Sequence, residues 1–275
     1  MRNLPEPNFE HLETFKASTA RFRDKGIRDR AEKAQSDIDR HGRVYLSRAR
    51  NRSLASIAEK PHVDPLSNED LKKIYERGLL RRRSAARKVY EGIKIGASRI
   101  CPICNHRTVA HLDHYLPKSK YGAFAVHPQN LVPSCYECNF TKGAIAGADY
   151  RKLPLHPYFD QVPTSKWLIC DIIMGSSPFG QFRIDAHDGD AEIKEKLSNH
   201  FGLFNLGRLY SIESAAELAR NRYLHGQIGK AGKEVLRSYF ATKARSMRKF
   251  DGNSWRSALY DACSNDDNLL SELAS

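Results

Sequence analysis

The sequence predicts an α+β protein that is mostly helical, on three observations. Stretches 67–92, 191–250 and 255–263 are patterned as helices, and 8–52 is expected to add one or two helices or a partly mobile arm. A middle segment, 93 to about 150, holds four cysteines among short strand-like and turn-like pieces, and 167–173 and 182–186 read as two strands joined by a Gly/Ser/Pro turn. Three regions follow: a basic helical N-terminal arm over 1–66, a helix plus the cysteine-bearing core over 67–150, and a mixed, mainly helical region over 151–275. At 275 residues the chain is long enough to bury a sizeable core.

Residues 8–52 are polar, arginine-rich and free of proline, and apolar positions such as Ile38, Val44 and Leu46 are too sparse for a core of their own. One or two helices leaning on the rest, or a partly mobile arm, are expected there. Pro61 and Pro65 mark a break, and Ser67 ahead of Asn68, Glu69 and Asp70 is a helix N-cap with acids in the first turn. The helix it opens is predicted to reach about Gly92, with Leu71, Ile74, Leu79, Ala85, Val89 and Tyr90 along its buried side. Past the two strands the helical pattern breaks at 205–207 and 226–232. A last helix is expected over 255–263, with a fraying acidic tail behind it.

The formal net charge of +13 favours a polyanionic partner, DNA or RNA, since basic charge attracts phosphates at long range. Charge alone does not separate an enzyme from a plain nucleic-acid binder. Two basic clusters stand out: Arg81-Arg82-Arg83 with Arg87 and Lys88, and the scattered set Arg21, Arg23, Arg28, Arg30, Arg40, Arg43, Arg48, Arg50 and Arg52, which is interleaved with acids. Helical charge runs are usually solvated faces, and the first cluster reads equally as a phosphate-contacting surface. The N-terminal residues lack the apolar core of a secretory signal, and no stretch approaches the roughly 20 apolar residues of a membrane helix. A cytoplasmic protein without membrane contact is expected.

Four of the six cysteines form two C-x-x-C pairs, Cys101-Pro102-Ile103-Cys104 and Cys135-Tyr136-Glu137-Cys138; without an export signal these point to metal rather than to disulfides. Zinc gathers four thiolates in a tetrahedron, two from each knuckle. Cys170 and Cys263 stand alone among apolar neighbours and read as buried small hydrophobes. The stretch between the pairs is longer than in a simple zinc ribbon, so something is folded inside it. It holds His111-Leu112-Asp113-His114-Tyr115-Leu116-Pro117-Lys118-Ser119 and then His127-Pro128-Gln129-Asn130-Leu131-Val132-Pro133-Ser134; directly after the second pair come Asn139, Lys142 and Gly143.

These residues, in this order over Cys101 to Gly143, resemble the HNH or ββα-metal endonuclease superfamily, in the branch whose motif is clamped by two C-x-x-C zinc knuckles. The resemblance implies a ββα-metal core with a four-cysteine zinc site, flanked by helical N- and C-terminal regions. It also implies metal-dependent hydrolysis of phosphodiester bonds in DNA. His114 matches the general base. Asp113 and Asn139 match the protein ligands of a catalytic Mg²⁺ or Mn²⁺, and Asn130 matches the asparagine that fixes the loop presenting His114. Asn139 stands where the family name has a third histidine, a common variant. Lys142 reads as a phosphate contact or as part of a solvated helix face, and Arg81, Arg82 and Arg83 as substrate contacts. His111 reads as a supporting residue; His127 and His106 read as loop residues. Adjacent strand residues face opposite ways, so Asp113 and His114 can serve one phosphate only at a strand end or a distortion. Further on, Leu155-His156-Pro157-Tyr158-Phe159-Asp160 is similar to a short stretch in HNH effector subunits of bacterial anti-phage systems of the Septu type, which implies a defence or restriction role beside an ATPase subunit. Packing of Tyr158 and Phe159 against the core is the plainer account. The alternative functions are a non-catalytic zinc-dependent nucleic-acid-binding module and a nuclease acting on RNA or tRNA.

Overall fold

The computed structural model describes residues 1–147 and 149–275, which form two compact units: Asn3–Gln161, and Val162–Ser275 together with Met1–Arg2. The architecture is α+β and mostly helical, with two small antiparallel sheets of two strands each. No helix among the described residues is long and apolar enough to cross a membrane.

The first unit opens with α1 (His11–Thr19) and α2 (Lys25–Arg50). Asp24 caps α2 by accepting from the Ile27 N–H at 3.0 Å. The buried positions of α2 are Ile27, Ala31, Ala34, Ile38, Gly42, Tyr45 and Ala49, steps of three and four that make one stripe. The stripe was hard to read because half of it is small. Small residues are what let α1 come close: a Cβ on Gly42 would stand 2.4 Å from His11 Nδ1. Ile38 is buried as an apolar residue should be, whereas Val44 is exposed.

Ser67 closes a capping box with Asp70 at the start of α3 (Asn68–Lys73), and Arg30 of α2 grips Asp70 from outside at 2.9 Å. The single helix expected to run to Gly92 is divided. After α3 the backbone widens into a π-helical turn, Ile74–Leu79, and a new helix, α4 (Arg87–Gly96), starts where the Ser84 hydroxyl accepts from the Arg87 N–H at 3.1 Å. Ala85 falls in the break and is exposed; Ala86 is buried instead. The turn is pressed against α1, where a Cβ on Gly78 would lie 2.3 Å from the Ser18 carbonyl oxygen.

The unit's sheet pairs β1 (His111–His114) with β2 (Leu131–Ser134), in the register His111↔Ser134 and Asp113↔Val132. Cys135 then caps a short helix, α5 (Tyr136–Lys142). The local order is therefore strand, strand, helix, with α4 packed against both strands.

In the second unit β3 (Leu168–Ile173) and β4 (Phe179–Ile184) pair along their whole length. Around them pack α6 (Ala191–Leu203), α7 (Leu206–Gly229), α8 (Lys233–Phe250), α9 (Trp255–Asn265) and α10 (Asp267–Ala274). Asn205 breaks α6 from α7 in the left-handed region, at φ 47°. Cys170 and Cys263 are buried, as read from their neighbours. The acidic tail expected to fray is helical instead: Asp266 caps α10, Leu269 and Leu270 are buried, and Asp267 pairs with Lys233 and Arg237.

Candidate metal centre and the polar site beside it

The first cysteine pair sits in a tight turn closed by a bridge between Ile100 and Thr108. The Cys101 N–H donates to the Arg107 carbonyl at 2.8 Å, and Asn105, at φ 49°, carries the chain round so that its own N–H reaches the Cys101 carbonyl. The second pair straddles the start of α5, where Cys135 Sγ accepts from the Cys138 N–H at 3.4 Å. All four sulfurs are buried and lie within 4.8 Å of one another, Cys104 to Cys135 at 4.0 Å. Four sulfurs each ~2.3 Å from one zinc ion stand roughly 3.8 Å apart, so the set fits that ion. Contact with Cys101 above all holds the Cys104 thiol far below the ordinary thiol range and drives Cys138 far above it. Four such thiols ionise together only around a cation. Arg107 and Glu137, ion-paired at 3.4 Å, join the two knuckles at the surface.

The polar site lies at the end of β1, the strand ending that adjacent residues need in order to serve one ligand. Asp113 and His114 are each 8% exposed. His114 Nε2 donates to the Ala125 carbonyl at 2.8 Å, which fixes the neutral ring with its lone pair on Nδ1. Burial first, then the nearby Lys118 ammonium, lowers His114 to about 3. Asp113 is pushed up from the ordinary carboxylate range by burial, against the pull of Lys142. The Lys142 ammonium stands 3.1 Å from Asp113 Oδ2 and donates to the His114 carbonyl at 2.6 Å. At 2% exposure this lysine is no part of a solvated helix face; α5 turns it inward onto β1. Asn139, one turn earlier on α5, is partly exposed, and its N–H is tied to the Cys135 carbonyl at 3.1 Å, so the cysteine knuckle sets its position.

Asn130 is fully buried and joins the two sides of the loop between β1 and β2. Its Oδ1 accepts from the Leu116 N–H at 2.8 Å, and its Nδ2 donates to the Leu116 and Phe124 carbonyls, both at 3.1 Å. The Ala125 carbonyl that holds His114 follows directly after Phe124. Arg81, Arg82 and Arg83 occupy the exposed break before α4, without an ion pair among the described residues. His111 keeps a buried Nε2 without a partner and meets Tyr136 edge-on at 6.4 Å.

Over 190 residues, 66% of its length, the chain is 28% identical to Protein ea31 of Escherichia phage lambda. The matched stretch is 61% of that protein, so the chain spans about three fifths of the curated relative it matches. No family model matches the chain, and no solved structure does.

Of two further neighbours of His114, one had no signal in the sequence. Tyr75, in the π-helical turn, meets the imidazole edge-on at 4.6 Å, and Lys118 lies over the Tyr75 ring at 4.5 Å. Tyr75 depends on a chain widening that no helical pattern announces, whereas Lys118 comes from the loop after β1. The stretch after the core is structural in its contacts: Asp160 accepts from the His156 N–H at 2.6 Å, and the Tyr158 hydroxyl donates to the Leu131 carbonyl at 2.8 Å, bracing β2. His127, read as a loop residue, is fully buried and stacks on His11 at 4.3 Å.

Proposed function

We propose that the protein is a metal-dependent endonuclease of the HNH type that hydrolyses phosphodiester bonds in DNA. One observation carries the reading: a hairpin and helix braced by a four-cysteine cluster hold Asp113 and His114 together at a strand end, with the His114 Nδ1 lone pair uncommitted. A water placed there adds to phosphorus while its proton passes to Nδ1, and the bond from phosphorus to the leaving oxygen breaks. A group lowered to about 3 is neutral, and so able to accept that proton, at every pH above roughly 4. The negative charge of a bound phosphate raises it again in the complex.

The Asp113 carboxylate and the Asn139 amide oxygen would supply oxygen donors of the kind Mg²⁺ or Mn²⁺ takes, with water completing the shell. Asp113 Oδ2 is buried, with the Lys142 ammonium 3.1 Å away. A divalent ion on this pair would supply charge relief to the scissile phosphate and its leaving oxygen. The cysteine cluster is a bracing zinc site set apart from that chemistry.

His114→Ala tests the reading. Cleavage of supercoiled plasmid with Mg²⁺ is expected to fall by about 10²–10⁴-fold, with zinc content and DNA affinity kept. Asp113→Ala is expected to inactivate as well, and raised Mn²⁺ to restore it more than it restores the histidine variant. A His114→Ala protein that cuts like wild type would overturn the mechanism and leave a zinc-braced nucleic-acid-binding module as the better account.

A further inference from the structure

The arginines of the first unit divide into those already paired and those left free. Arg30 binds Asp70, Arg40 binds Asp37, Arg43 binds Asp39 and Arg50 binds Glu6. Arg21, Arg23, Arg77 and Arg81 carry no ion pair among the described residues, and all four line one groove of about 560 Å³. Its chain segments come from the turn between α1 and α2 and from the π-helical turn with the break behind it. Phe22 is the buried apolar member of the lining. Two acids also reach the groove. Asp24 is committed to capping α2, and Glu76 is felt by Lys118, whose ammonium it favours. Four arginines against two acids leave the groove net positive, a field that attracts a polyanion.

A single turn of the chain links the groove lining to the polar site. Tyr75 touches His114, Lys118 covers Tyr75, and the next two residues of the chain, Glu76 and Arg77, are groove lining. We propose that this groove is the track for the DNA backbone, with Arg21, Arg23 and Arg77 joining Arg81 to hold phosphates flanking the one at His114. The proposal rests on the nuclease reading only for what the strand is carried to. It assigns affinity to the turn between α1 and α2 and to the π-helical turn, rather than to the Arg81-Arg82-Arg83 run as a whole or to the basic face of α2.

The test measures binding of a fluorescent DNA duplex to the full chain in EDTA, across a salt series, so that cleavage plays no part. Arg21→Gln, Arg23→Gln and Arg77→Gln together are expected to make the plot of log affinity against log salt shallower by about 2 to 3, at roughly 0.9 for each phosphate no longer neutralised. Arg40→Gln with Arg43→Gln, which removes exposed paired arginines of α2, is the control and is expected to leave the slope as in wild type. An unchanged slope in the groove variant, an equal loss in the control, or a wild type that does not bind the duplex overturns the groove. Salt-dependent binding through the groove by a wild type that never cleaves would remove the nuclease reading and leave the groove standing.

Discussion

Lys142 shows how one side chain can set the electrostatics of a site. Its ammonium is almost fully buried between the Asp113 carboxylate and the His114 carbonyl, so it ties α5 to β1 and at the same time compensates the buried acid. Removing one partner of a buried pair is costlier than removing both, because the survivor is left charged and dry. Lys142→Met is therefore expected to lower stability by about 3–5 kcal/mol in Mg²⁺-free buffer. Asp113→Leu added to it should recover a large part of that loss, as read by urea titration of the two single variants and the double. Additive losses in the double variant would show that the pair is not coupled. The sequence pointed to this lysine through its spacing from Asn139, three residues along a helix. It could not tell which way the side chain turns, because that depends on how closely α5 docks against a strand nearly thirty residues earlier in the chain.

At the scale of elements, the cysteine pairs and the short strands around them were legible because four residues at fixed spacing carry their own geometry. The α3 to α4 region was less so: apolar spacing continues through the Ile74–Leu79 turn, while the close approach of Gly78 to the Ser18 carbonyl there is a contact between distant segments. The helical hairpin of α1 and α2 was underestimated for a related reason. Its contacts with the core run through His11, Gly42, Tyr45 and His127, and neither a histidine nor a glycine reads as core in a pattern of apolar residues. Burial holds His11 at about 3 and keeps His127 well below the usual histidine value. Both are neutral in the fold, and the unfolded chain takes up their protons near pH 6.5. Their contribution is therefore complete above about pH 6.5 and declines as the pH falls toward the folded value. For His11 alone the loss reaches about 2–3 kcal/mol by roughly pH 4.5. Melting temperature against pH should accordingly be flatter over that window in His11→Phe than in wild type. Parallel curves would assign the acid sensitivity to carboxylates.

At the scale of the whole molecule, the two compact units each have a core, and only one contains the cysteine cluster. Both tryptophans of the sequence, Trp167 and Trp255, are buried in the second unit. Tryptophan emission therefore reports the unit without the cluster, whereas far-ultraviolet circular dichroism reports the helices of both. A structural zinc bound through four thiolates is part of the folding free energy of the unit that holds it, so its removal is an unfolding event there. Purified protein is expected to contain one equivalent of zinc, lost in Cys138→Ser. Stripping it with a strong chelator should split one melting curve into two: part of the dichroism signal is lost at a lower temperature, and the tryptophan transition stays in place. The sign follows from where the sulfurs lie, since nothing in β3, β4 or α6 to α10 draws on them. A tryptophan transition that moves down in step with the dichroism would mean that the second unit melts with the first. Folded protein without zinc would remove the metal from the account of this fold.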